Sequence, residues 1–192
     1  TSNNASAHPI YNRLVEFKSG STELEPGIAK SWQVSKDGKE FVFNLREDVT
    51  FHETKYFKPS RKLNADDVLF SFNRQLKKDH PFHLVNGGSY QYWESMGMSS
   101  LIKSIEKTGD FQIKIKLSEP NAPFLANLAM SFMSILSKEY ADSLALKKEK
   151  EKIDHYPVGT GPYIFKKYKK DTLIRYTANK NYFKGKPKIK KL

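Results

Sequence analysis

Residues 31–46, SWQVSKDGKEFVFNLR, decide the fold. Trp32 and Val34 alternate on one arm, Phe41, Phe43 and Leu45 on the other, and Lys36-Asp37-Gly38 between them supplies the turn, so the stretch predicts a β-hairpin. One face of such a hairpin is apolar and has to be covered. Val49 and Phe51 continue the period of two and predict a third short strand.

Outward from the hairpin, elements of both kinds follow. Residues 63–76, LNADDVLFSFNRQL, predict a helix with Asn64 as N-cap and Asp66 and Asp67 in the first turn, where the helix dipole favours negative charge. Leu69, Phe72 and Leu76 form its expected buried stripe. Phe111, Ile113, Ile115 and Leu117 alternate with Gln112, Lys114 and Lys116 in a strand, with Ile102 and Ile105 on its hairpin partner. Residues 121–132 predict a helix with Pro123 in its first turn and Leu125, Leu128 and Phe132 following, and Ser137 caps another carrying Tyr140 and Leu144. Residues 163–168 and 173–177 predict a second hairpin across Lys169-Lys170-Asp171, and residues 4–17 a short helix with Ile10, Leu14 and Phe17 at helical spacing. Strands and helices in this mixture define an α/β (mixed α+β) architecture.

The 192 residues are 38% hydrophobic and 13% aromatic, enough for one buried core and part of a second. The net charge of +12 is unevenly placed. Residues 1–146 carry 18 Lys and Arg against 17 acids, whereas residues 147–192 carry 15 against 4. KKEKEK, KKYKK and KGKPKIKK supply the excess, almost all as lysine, which favours a solvated basic face over a phosphate-binding patch and argues against base-reading of nucleic acid, with a polyanion- or nucleic-acid-binding basic domain as the alternative function of another class. Cysteine is absent, which excludes disulfides, thiolate catalysis and Cys-ligated zinc. The longest apolar run, residues 124–136, is interrupted by Asn127, Ser131 and Ser134 and falls short of the roughly 20 residues of a membrane span. Any secretory leader is removed or lies outside the chain.

No catalytic constellation is visible, so the expected protein is not an enzyme. The histidines are His8, His52, His80, His83 and His155, and none belongs to a His-Glu-x-x-His helix. His80-Pro-Phe-His83 could offer nitrogens to a metal or to haem iron, but exposed loop histidines fit the pattern better. Residues 159–162, GTGP, lack the Gly-Lys-Ser/Thr ending of a phosphate loop and precede a strand. Residues 79–93, DHPFHLVNGGSYQYW, combine rings, glycines and amides. Two readings stay open: a cleft for a polar small molecule or peptide, or a long loop pinned by Phe82, Tyr90 and Trp93 packing inward.

The run at 25–52, EPGIAKSWQVSKDGKEFVFNLREDVTFH, followed by LNADDVLFSFNRQ resembles the extracytoplasmic peptide, nickel and haem solute-binding proteins of ABC importers, solute-binding family 5. IYNRLVEF, FKPSRKLNADDVLFSFNRQ, GGSYQYW, ILSKEYADS and PVGTGPYIF are similar to its dipeptide-binding subgroup, which includes haem- and glutathione-binding relatives. The resemblance implies a partial periplasmic binding protein fold of type II. Residues 1–11 would edge the first-lobe domain I, 12–160 would form the peripheral domain II, and 161–192 would return into domain I. It also implies a monomeric periplasmic receptor, lipid-anchored in some relatives, that needs no cofactor or metal and binds no nucleic acid. Such a receptor closes on a dipeptide or short peptide, with haem or glutathione as alternatives, and delivers it to an ABC permease in the inner membrane. By position, Thr1, Ser2 and Asn3 resemble the stretch lining the cleft, Phe82 matches a cleft-facing aromatic of the second domain, and Tyr90 follows from the Gly87-Gly88 loop. Trp32, Phe43, Leu45 and Val68 belong to the core.

Overall fold

The hairpin at 31–46 joins β3 (Ala29–Val34) to β4 (Glu40–Leu45), with Trp32 opposite Phe43 and Val34 opposite Phe41. The computed structural model describes residues 8–169 and 172–192. β5 (Ile102–Gly109) and β6 (Gln112–Leu117) complete an antiparallel sheet of order β3-β4-β6-β5. Its inner face carries Phe41, Phe43, Leu45, Ile113, Ile115 and Leu117, all buried. The outer face is polar, with Lys114 and Lys116 both reaching Glu40, as a sheet covered on one side requires. Trp32 sits at the rim of this core, partly buried.

The cover is α1 (Ala65–Leu76), which packs against β5 and β6. Asn64 caps it as expected, accepting from the Asp66 amide at 3.0 Å while the Asp67 carboxylate accepts from the Asn64 amide at 3.0 Å, a reciprocal capping box. Asp67 is 0% exposed and also binds the Arg61 guanidinium at 2.6 Å and the Lys138 amide at 2.8 Å. That last bond ties α1 to the start of α5 (Lys138–Leu146), whose N-cap is Ser137 and whose Tyr140 and Leu144 are buried. Because α1 is covered by the sheet on one side and by α5 on another, its buried apolar residues are Ala65, Val68, Phe70 and Phe72. Leu69 and Leu76, expected in that stripe, are only partly buried.

Several other expectations are corrected. Residues 8–17 are not helical: Val15–Phe17 is a strand, β1, paired with β2 (Leu24–Pro26), and residues 4–7 lie outside the described part. The backbone here bonds to distant segments, Ile28 N to Arg13 O at 2.9 Å and Gly161 N to Ile10 O at 2.8 Å, so tertiary pairing overrides the helical spacing of the apolar residues. Val49 and Phe51 are buried but form no strand; Leu63 N donates to Val49 O, and His52 N donates to Gly159 O, in place of a ladder. Phe111 lies in the turn before β6. In residues 121–132 only α4 (Phe124–Leu128) is α-helical, Pro123 is its N-cap, Phe124 and Leu128 are its buried apolar residues, and Phe132 falls in a separate 3-10 turn. Two short helices, α2 (Gln91–Ser95) and α3 (Met98–Leu101), precede β5, and α6 (Lys152–His155) follows α5. The second hairpin forms as β7 (Tyr163–Lys169) and β8 (Leu173–Ala178); Lys170 and Asp171 of its expected turn lie outside the described residues.

β7 and β8 are joined to the rest along a seam. A Cβ at Gly159 would collide with the Ile10 carbonyl oxygen, and one at Gly161 would lie 2.6 Å from the Ile10 carbonyl carbon, so only glycine allows the two chain segments to approach this closely. Buried polar groups line the seam. Thr160 Oγ1 donates to Asn12 Oδ1 at 3.0 Å, Asn12 Nδ2 donates to Glu16 at 2.6 Å, and Lys184 Nζ reaches Glu16 at 2.9 Å and Glu25 at 2.6 Å. Burial works to raise the Glu16 carboxyl's pKa, but Asn12, Arg13 and Lys184 outweigh it and hold the group below the ordinary carboxylate range. His52, fully enclosed, donates from Nε2 to the Gly161 carbonyl at 2.8 Å, and burial pushes its pKa down to about 4.

Candidate functional site

The loop at 79–93 folds back over the C-terminal half of α1 and makes a groove of about 450 Å³, with Gln75, Tyr90, Tyr92, Trp93, Phe132 and Leu136 among its walls. The packing reading holds for two of its three rings, and the loop also walls an open groove. Trp93 is buried, its indole N–H donating to Ser99 Oγ at 2.7 Å, and Phe82 is 3% exposed, edge-on to Phe70 at 5.4 Å with the Lys150 ammonium over its ring. These two side chains pin the loop. Tyr90 stays half-buried on the groove wall and donates its hydroxyl proton to the His83 carbonyl at 2.9 Å. Tyr92, 46% exposed, stacks on Phe132 at 6.3 Å and 12°. Thr1, Ser2 and Asn3 lie outside the described residues.

At one end of the groove lies an ion pair that no local sequence signal announces, since its partners are far apart in the chain. Arg74 Nη1 and Nη2 donate to the two Asp154 oxygens at 3.0 and 2.8 Å, and Nε donates to the Phe82 carbonyl at 3.3 Å. Burial opposes the Arg74 charge, and the Asp154 carboxylate more than offsets it, so the guanidinium is held above its ordinary range. Asn86 completes the corner by donating from Nδ2 to Asp154 at 2.7 Å and to the Glu151 carbonyl at 3.0 Å. Its φ of 59° is left-handed, and the Asn86-Gly87 pair is the one cue from which that turn was legible. With these donors engaged, the groove offers ring area and amides to a ligand but no free charge from Arg74.

The two histidines of the loop are engaged locally. His80 Nδ1 accepts from the Phe82 amide at 3.2 Å, with its ring edge-on to Phe70 at 5.2 Å, and His83 Nδ1 donates to the Arg74 carbonyl at 2.8 Å. Among the described residues no group of three or more His, Asp or Glu could hold a metal ion.

The chain belongs to the bacterial extracellular solute-binding proteins, family 5, whose middle-region model matches residues 23–192. It is 52% identical over 189 residues to the dipeptide-binding protein of Escherichia coli (strain K12), covering 98% of this chain and 35% of that protein. Against heme-binding protein A of Haemophilus influenzae it is 51% identical over 192 residues, covering 100% of this chain and 35% of the relative. The structure of a dipeptide-binding protein from Pseudoalteromonas sp. SM9913 in complex with Met-Leu matches with a TM-score of 0.94 at 40% identity, over 100% of this chain and 38% of that one. The fold is therefore that of the periplasmic binding proteins of this family, represented in part, and the chain spans about a third of the length of the curated relatives it matches.

Proposed function

We propose that the protein carrying this chain is the solute-binding component of an ABC importer, a periplasmic monomer that binds dipeptides or short peptides and hands them to a permease in the inner membrane without chemistry of its own. The observation that carries this reading is the match of the whole chain to a structure holding Met-Leu. The seam supports it. Residues 9–12 and 159–161 cross side by side, where the chain would pass between a first-lobe domain and a peripheral domain spanning 12–160. Hinge closure is absorbed by a few loop residues, and both of these segments are loop. In this reading Thr1, Ser2 and Asn3 line the cleft beside the ligand, Tyr90 presents ring surface from the peripheral domain, and Phe82 acts by packing the loop.

A haem or glutathione receptor is the second reading, favoured for haem by the likeness to heme-binding protein A. Calorimetric titration of the full-length protein with Met-Leu, glutathione and haemin separates the three. The peptide reading expects saturable one-to-one binding of Met-Leu; binding of haemin alone overturns it.

A further inference from the structure

Successive side chains of a regular strand point to opposite faces, so four in a row cannot line one cavity. Phe165, Lys166, Lys167 and Tyr168 of β7 nevertheless line a single cavity of about 430 Å³. The register accounts for the two rings: Phe165 pairs with Tyr176, Lys167 with Arg175 and Tyr168 with Ile174, so Lys166 is the extra residue of a bulge and Phe165 and Tyr168, three apart, fall on one face, with the exposed Lys166 and Lys167 between them at the cavity rim. Opposite the bulge stand Tyr56 and Tyr156, their rings meeting edge-on at 5.4 Å. Tyr56 is fixed by donating its hydroxyl proton to the Pro157 carbonyl at 2.8 Å, while Tyr156 is 45% exposed. No acidic residue lines the cavity, and among the described residues Lys55, Lys166 and Lys167 on its wall form no ion pair.

We infer that this cavity is a binding site for a flat aromatic anion, whose rings lie against Tyr56 and Tyr156 and whose acid groups face Lys166 and Lys167. A bare inorganic anion would leave the rings unused, and a neutral ring would leave the lysines unused. Only the combination matches both halves of the wall. The volume falls in the range of roughly 300–1,000 Å³ typical of small-molecule sites. The site shares no lining residue with the groove beside α1 and stands independently of the peptide reading.

The test uses the full-length protein and metal-free protoporphyrin, a flat ring bearing two carboxylates, followed by porphyrin fluorescence anisotropy with and without saturating Met-Leu. The expected result is saturable porphyrin binding that survives Met-Leu. It weakens about tenfold or more in Lys166→Ala/Lys167→Ala and also in Tyr156→Ala, as the loss of two facing charges or a ring wall implies. Both lysines are exposed, so the double variant keeps its melting temperature and its Met-Leu affinity. Absence of saturable binding, undiminished affinity in both variants, or displacement by Met-Leu overturns the site. Porphyrin binding by a protein that takes up no dipeptide sinks the peptide reading, and it supports the site only where both variants weaken it; undiminished binding in the variants assigns the porphyrin to the haem-receptor reading and overturns the site.

Discussion

The groove beside α1 and the cavity under β7 are nearly equal in volume, about 450 and 430 Å³, and opposite in electrostatic state. In the first, Arg74 is saturated by Asp154 and the Phe82 carbonyl, and its charge holds the loop at 79–93 to α1 and α6. In the second, three lysines face the cavity without acid partners among the described residues. Paired charge builds a wall, and unpaired charge is left to recognise something. Composition alone places both under the same heading of basic residues.

The largest expected effect tests the seam on which the β7 side of this comparison hangs. Gly159→Ala drives a methyl into the Ile10 carbonyl, and urea unfolding should report a loss of about 3 kcal/mol or more. A loss below about 1 kcal/mol would mean that the two segments do not pack as described.

Next comes the dependence on pH, set by His52 beneath the same seam. Its folded pKa, about 4, lies below the ordinary 6.5, so the native state excludes a proton that the unfolded chain accepts. Stability is therefore complete above pH 6.5 and falls as pH drops toward 4, by on the order of 3 kcal/mol in total. His52→Gln should flatten this segment of the stability profile; an unchanged slope would assign the effect elsewhere.

A smaller effect separates the two pockets directly. Arg74→Ala strips the partner from a carboxylate that is only part-buried, and about 2 kcal/mol should be lost, with faster hydrogen exchange in the loop at 79–93. Lys166→Ala/Lys167→Ala should stay within about 0.5 kcal/mol of the parent, because exposed and unpaired lysines add little to folding. Equal losses at the two places would erase the distinction between building and recognising charge.

The elements legible from residue pattern are those whose stability is local. The alternation around Trp32 and Phe43, the capping residues Asn64 and Ser137, and the hairpin of Ile113 and Ile115 with β5 take their structure from near neighbours, although β6 also pairs with the distant β4. Residues 8–17 defeat the same logic, since Ile10 and Leu14 have helical spacing but their backbone is claimed by residues 27–29 and 161–163. Val49 and Phe51 mislead likewise: their alternation reflects burial without a partner strand. Tyr90 and the ring content of the loop at 79–93 were readable as the wall of a groove. The Arg74 to Asp154 pair and the bulge at Lys166 were not, because each depends on a register or contact set by residues distant in the chain. The lysine-rich segment was correctly located, but its use as cavity wall required knowing that β7 breaks its own alternation.

The claim underlying all of this is that the fold grips a peptide and lets it go unchanged. Native mass spectrometry of gently purified full-length protein tests it most directly. The account predicts a complex heavier than the bare chain by one dipeptide or short peptide, which is released intact on mild unfolding. A bare mass that added Met-Leu does not shift, or stoichiometric haem with no peptide, would contradict it.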